Sequence, residues 1–98
     1  MRREEVIAKL KAAEPAIRAR GAVALYLFGS HACDEARADS DIDVFIDKDT
    51  CRKFGFDEFM DIYFLLQERV GANVDYGTRD GLHPALRSEI EREAVRVF

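Results

Sequence analysis

Three stretches of this 98-residue chain predict an α/β (α+β) fold, a small mixed β-sheet with helices packed on one face. Residues 22–28, Ala-Val-Ala-Leu-Tyr-Leu-Phe, are apolar at every position, as in a central strand buried on both sides. Residues 41–47 alternate, with Ile42, Val44 and Ile46 facing one side and Asp41, Asp43, Phe45 and Asp47 the other. Residues 56–70 repeat their apolar positions at helical spacing and stop at Gly71.

The remaining elements follow in order. Residues 3–13 place Val6, Ile7, Leu10 and Ala13 on one helical face. Pro15 interrupts or restarts that helix, Ile17 continues its stripe, and Gly21 ends it before the first strand. Residues 31–40 read as a polar connection with one helical turn around Ala32 to Ala36, and 48–55 as a loop. Within the helix at 56–70, Phe59, Met60, Tyr63, Phe64 and Leu66 are expected inward. Residues 73–77 form a short strand with Asp75 facing opposite to Val74 and Tyr76. A last helix is expected from Pro84 to Ala94, with Leu86, Ile90 and Ala94 on one face. The sheet thus has helices on one face and its carboxylate face open.

Length and composition bound the possibilities. A chain of this size makes one domain, residues 1–98, burying roughly 60–65% of its unfolded surface. It has no apolar stretch approaching a membrane span, and the start Met-Arg-Arg-Glu-Glu has no h-region, so a cytoplasmic location is expected. A net charge of −4 argues against an extensive nucleic-acid-binding surface. The charge is uneven: residues 34–61 hold ten acidic residues against Arg37, Lys48, Arg52 and Lys53. An acidic centre repels phosphate unless divalent cations intervene. Cys33 and Cys51 lack the partners for a zinc site and read as ordinary thiols.

The chemistry is carried by Gly29-Ser30, ten intervening residues, then Asp41-Ile-Asp43. Four such positions coincide by chance about once in a thousand chains of this length. Asp41 and Asp43, two apart on a strand, project from one face roughly 6–7 Å apart along the chain. Carboxylates so close repel unless a cation lies between them, and a hard ion such as Mg²⁺ suits oxygen ligands. Asp75, facing the same side of a neighbouring strand, supplies a third carboxylate. Three can hold two Mg²⁺ ions at the spacing suited to in-line displacement at phosphorus. Gly29 allows close backbone approach to a triphosphate and Ser30 adds a hydroxyl donor. The expected reaction moves a nucleoside monophosphate to an acceptor hydroxyl. Asp39 is expected to be a turn residue, Asp47 a solvated one, and His31 and His83 ordinary residues of a loop and a helix entry.

Residues 25–32 (Leu-Tyr-Leu-Phe-Gly-Ser-His-Ala), 39–46 (Asp-Ser-Asp-Ile-Asp-Val-Phe-Ile) and 73–76 (Asn-Val-Asp-Tyr) resemble the minimal nucleotidyltransferase antitoxins of the DNA polymerase beta superfamily. The stretch 81–87 (Gly-Leu-His-Pro-Ala-Leu-Arg), followed by Ile90 and Glu93-Ala94-Val95, extends the likeness over nearly the whole chain. The resemblance implies a polymerase beta palm-like fold, with Asp41, Asp43 and Asp75 as catalytic metal ligands and Gly29 with Ser30 as the nucleotide loop. It also implies ATP as substrate and a HEPN-domain ribonuclease toxin as partner, silenced by AMP transfer to a toxin tyrosine.

One departure stands out. The family's loop continues Ala-Arg-Gly where this chain has Ala32-Cys33-Asp34, losing a bidentate phosphate-binding group and adding a negative charge. Arg37 is a candidate replacement for that charge. A non-catalytic module that masks its toxin is therefore the alternative expectation, and a catalytic subunit serving a separate substrate-binding chain a third.

Overall fold

A computed structural model describes residues 2–32 and 41–98. The expected turn at 32–36 beyond Ala32, together with Cys33, Asp34, Arg37 and Asp39, lies outside the described residues. The order is α1 (Arg3–Ala12), α2 (Glu14–Ala19), β1 (Ala22–Phe28), β2 (Ile42–Lys48), α3 (Phe56–Val70) and β3 (Val74–Thr78). A 3₁₀ turn (Arg79–Gly81), α4 (Arg87–Glu93) and β4 (Val95–Arg96) complete it. The helical break falls at Ala13, so Pro15 sits in the first turn of α2, where its missing N–H costs nothing.

The four strands form one mixed sheet in the order β3-β2-β1-β4. β1 runs antiparallel to β2 and β4, whereas β2 and β3 are parallel and joined through α3. As the alternation predicts, Ile42, Val44 and Ile46 join Leu25, Leu27 and Val74 on one face. Val6, Leu10 and Ile17 from α1 and α2, and Ile62, Leu66 and Val70 from α3, cover them. β1 is buried at Ala22, Ala24, Leu25 and Leu27 and half-buried at Tyr26 and Phe28; only Val23 is exposed, where the register shifts against β2.

Three expectations are corrected. Phe64 points to solvent at 61% exposure, because the inward stripe of α3 runs through Ile62, Leu66 and Val70, about half a turn away. The last helix starts at Arg87 rather than Pro84. His83 Nδ1 accepts the Ala85 N–H at 3.1 Å, and this local bond holds the intervening residues in a turn. β4 was not expected from the sequence, since two residues carry no readable alternation. It is fixed by long-range pairing, with the Val97 N–H donating to the Leu25 carbonyl at 2.8 Å.

β3 and β4 are opposite edges, so the segment 79–94 must cross the sheet between them. It crosses the carboxylate face. Arg79 lies with its guanidinium 4.9 Å from the Tyr26 ring and 5.1 Å from the Phe45 ring, both on that face. The same guanidinium donates twice to Asp47, at 2.6 and 3.0 Å, and once to Glu91 of α4 at 2.7 Å. Asp47 is therefore an ion-paired anchor rather than the solvated residue its position suggested. Phe45 is fully buried beneath this crossing, and the face stays open mainly at its carboxylate end.

Truncating Leu66 to Ala removes a fully buried side chain from the helix–sheet core. We expect a loss of about 2–5 kcal/mol of unfolding free energy in urea titration.

Candidate active site

β1 delivers the chain to a sharp bend. Phe28 ends the strand opposite Asp43, and Gly29 takes a φ of 74°, the left-handed region that side chains disfavour. The glycine has a second reason: a Cβ at this position would collide with Asp43 Oδ2. The backbone bend and the carboxylate are thus packed directly against one another.

In the parallel pairing of β2 with β3, Asp43 lies opposite Asp75. Both project from the face away from the helices, since their neighbours Ile42, Val44 and Val74 occupy the core. Phe28, Asp43 and Asp75 consequently form a row across three adjacent strands. Asp41 precedes β2 and is exposed, as is Asp75, while Asp43 is half-buried.

This environment pushes the Asp43 carboxyl up to about 6, first through burial, then through the negative charges of Asp75 and Asp41. Asp43 and Asp75 stand within hydrogen-bonding reach of one another. Asp41 acts on the pair through its charge. Among the described residues, no three His, Cys, Asp or Glu side chains gather in a ready-made metal cage, and none of these three aspartates forms an ion pair. The site therefore brings Asp43 and Asp75 together with Gly29 and Ser30, and leaves Asp41 at its rim. Uncompensated oxygen donors of this kind fit a hard divalent cation, because its charge offsets both the burial and the repulsion that raise Asp43.

Two residues with no role expected from the sequence are placed by the structure. His31 follows the bend but is only 2% exposed, so it wedges the turn from within; its Nδ1 has no partner among the described residues. Gln67 had no periodic signal of function, yet its amide links α3 to the start of β3. Its Oε1 accepts the Val74 N–H at 3.1 Å, and its Nε2 donates to Tyr63 Oη at 2.8 Å. It thereby sets the residue next to Asp75. A cleft of about 280 Å³ adjoins Asp75, lined also by Phe28, Gly77, Leu82 and Ile90.

Comparison with known proteins agrees with this geometry. A family model described as nucleotidyltransferase domain matches residues 6–97. Two Methanocaldococcus jannaschii proteins, both provisionally named protein adenylyltransferase, are similar to the chain. One is 32% identical over 72% of this chain and 72% of its own length. The other is 30% identical over 86% and 88%. A solved structure described as a minimal nucleotidyltransferase superposes with a TM-score of 0.83 at 32% identity, covering 97% of this chain and 95% of its own. A toxin–antitoxin crystal structure with AMP-PNP shares the fold, with a TM-score of 0.67 at 16% identity over all of this chain and 73% of its own. No helix among the described residues is long and apolar enough to cross a membrane.

The raised Asp43 carboxyl has a testable consequence. Without divalent ions the folded state holds the Asp43 proton up to about pH 6, whereas an ordinary aspartate releases it near 3.8. Stability is therefore fully retained below the lower value and lost as pH rises through the upper one. Asp43→Asn should stabilise the metal-free protein at pH 7 by about 1–2 kcal/mol, discounted for solvent screening, and have little effect near pH 3.5. Adding Mg²⁺ at pH 7 should raise the melting temperature of the parent and leave that of the variant almost unchanged. An indifferent parent would contradict the assignment. Gly29→Ala, which strains the bend and displaces Asp43, should cost about 1–3 kcal/mol in thermal unfolding.

Proposed function

The chain belongs to the nucleotidyltransferase-domain family and is a nucleotidyltransferase; from that premise we propose that it transfers AMP from ATP to a hydroxyl of a partner protein. We further propose that the partner is a toxin of the HEPN class, for which this chain serves as antitoxin in the cytoplasm. The observation that carries the chemistry is the Asp43–Asp75 pair held against the Gly29 bend. The provisional adenylyltransferase names of the relatives and the toxin–antitoxin context of the fold neighbour support the choice of donor and partner.

Asp41, Asp43 and Asp75 would hold Mg²⁺, in two ions by this reading, supplying charge compensation for the triphosphate and for the acceptor oxygen. The chain's own contributions are positional. The backbone at Gly29 and the Ser30 hydroxyl take the terminal phosphates, so the α-phosphorus faces the carboxylate row. The acceptor oxygen bonds to the α-phosphorus as the bond to the pyrophosphate oxygen breaks. Pyrophosphate leaves, and the acceptor proton passes to a carboxylate and then to water. No side chain serves as a covalent nucleophile.

The masking alternative is favoured by one sequence feature, Cys33-Asp34 in place of the family's Arg-Gly. In that reading the fold binds the toxin and little transfer occurs.

Incubation with labelled ATP, Mg²⁺ and the protein encoded by the neighbouring gene separates these readings. We expect label on the partner, reduced roughly a hundredfold or more in an Asp41→Ala/Asp43→Ala variant that still forms the complex. No labelling, together with toxin neutralisation unaffected in the variant, would refute transfer in favour of masking.

A further inference from the structure

The unpaired edge of β3 and one flank of α3 lie on the same side of the molecule, and neither takes part in the proposed transfer. In the parallel ladder the Ile42 N–H donates to the Asn73 carbonyl, so Asp75 and Gly77 direct their backbone groups towards β2. The backbone groups of Val74, Tyr76 and Thr78 therefore point outward. Gln67 takes the Val74 N–H at 3.1 Å, whereas the Tyr76 N–H has no partner among the described residues. Proteins usually blunt such an edge with lysine, proline or a bulge. β3 has none of these, and its register with β2 is unbroken.

Gln67 also fixes which flank of α3 faces that edge. Phe56, Met60, Tyr63 and Phe64 share its helical face, and Phe56 and Phe64 are 76% and 61% exposed. A cavity of about 300 Å³ joins the edge to the flank, lined by Thr78 on β3 and by Phe54, Gly55, Phe56 and Phe59. Lys48 lines it too, but is already paired with Asp80 at 3.0 Å. We infer that this edge and this flank form one docking surface for an extended segment of a basic partner protein. Apolar side chains at alternate positions of that segment pack against α3, one of them in the cavity.

Backbone chemistry decides the form of the occupant. Outward N–H and C=O groups along an edge are satisfied by another strand, and a pocket beside the edge then selects an alternate side chain. A helix has no free main-chain groups to offer along its length. Charge decides its composition. Asp57, Asp61 and Glu68 adjoin the apolar flank on the helix surface, all exposed and without an ion pair among the described residues. α3 carries Asp57, Glu58, Asp61 and Glu68 against Arg69 alone, and the chain's net charge is −4. A second copy would set like charges against one another, whereas lysines or arginines beside the apolar positions of a partner strand meet them. Strand addition extends the sheet sideways and leaves its carboxylate row open. The inference goes beyond nucleotide transfer and holds whether the partner is modified or masked.

The test uses short fluorescent peptides and the full chain, followed by anisotropy. One peptide alternates valine with lysine, a second alternates valine with glutamate, and a third arranges the valines and lysines of the first in a helical repeat. The alternating lysine peptide should bind saturably, roughly tenfold or more tighter than either control, and more weakly as salt rises. Thr78→Pro blocks an outward N–H and spares the ladder to β2, and Phe56→Ser/Phe64→Ser removes two exposed rings. Each should weaken binding roughly tenfold or more while the protein stays folded by circular dichroism. Asp57→Asn/Asp61→Asn should weaken it and flatten its salt dependence. No binding, or binding unchanged in the Phe56→Ser/Phe64→Ser variant, overturns the surface. Preference for the helical-repeat peptide overturns the extended form, and preference for the glutamate peptide overturns the basic partner. Self-association in sedimentation that Phe56→Ser/Phe64→Ser abolishes also overturns it, in favour of a second copy. None of these measurements involves ATP, so their failure leaves the transfer reading intact.

Discussion

Two negative charges are held side by side by backbone register. The parallel pairing of β2 with β3 sets Asp43 against Asp75. Ionising Asp43 in this setting costs about 1–2 kcal/mol near neutral pH after allowance for solvent, first through burial and then through the charges of Asp75 and Asp41. The opposite face of the same strands offsets it. Ile42, Val44 and Ile46 are essentially fully buried, and each such side chain contributes roughly 1.5–3 kcal/mol of burial free energy. Alternation along a strand thus uses one face to stabilise what the other face destabilises. The arrangement also explains why the β2–β3 connection needs α3: strands pointing the same way cannot be joined by a tight turn.

A second electrostatic layer lies further along the same face and is built differently. Arg79 is matched by Asp47 and Glu91 and rests on the Tyr26 and Phe45 rings. Those charges are already neutralised, so the layer fastens the crossing segment and leaves nothing for a ligand. Asp43, Asp75 and Asp41 have no such partner among the described residues. The contrast sets the ion-paired carboxylate apart from those proposed for the site. Asp41, Asp43 and Asp47 lie on a single alternating run, and pattern alone treats them alike.

Much of this was legible in the sequence because it depends on local periodicity. The unbroken apolar run gave β1, the alternation gave β2 with its carboxylate face, and the helical repeat gave α3. Features decided by distant neighbours were not legible. Phe64 looked like core because an aromatic near the stripe was counted as part of it. Asp47 looked solvated because its partner is 32 residues away. β4 is two residues whose pairing is set by β1. His31 sits in a turn whose burial depends on packing from other elements. For the site itself, the spacing brought out Asp41, Asp43 and the bend, while strand facing and the family resemblance together placed Asp75. The row across three strands emerges only with the register.

The close packing of Gly29 on Asp43 Oδ2 means the two positions do not mutate independently. A larger residue at the bend is most harmful when the full-length aspartate is opposite it, and shortening that side chain relieves part of the clash while removing the oxygen proposed to hold a cation. Substitutions at the pair should therefore be strongly non-additive, so single-site scans will overstate how separately the bend and the carboxylate contribute. Redesign of this pocket has to treat them as one unit.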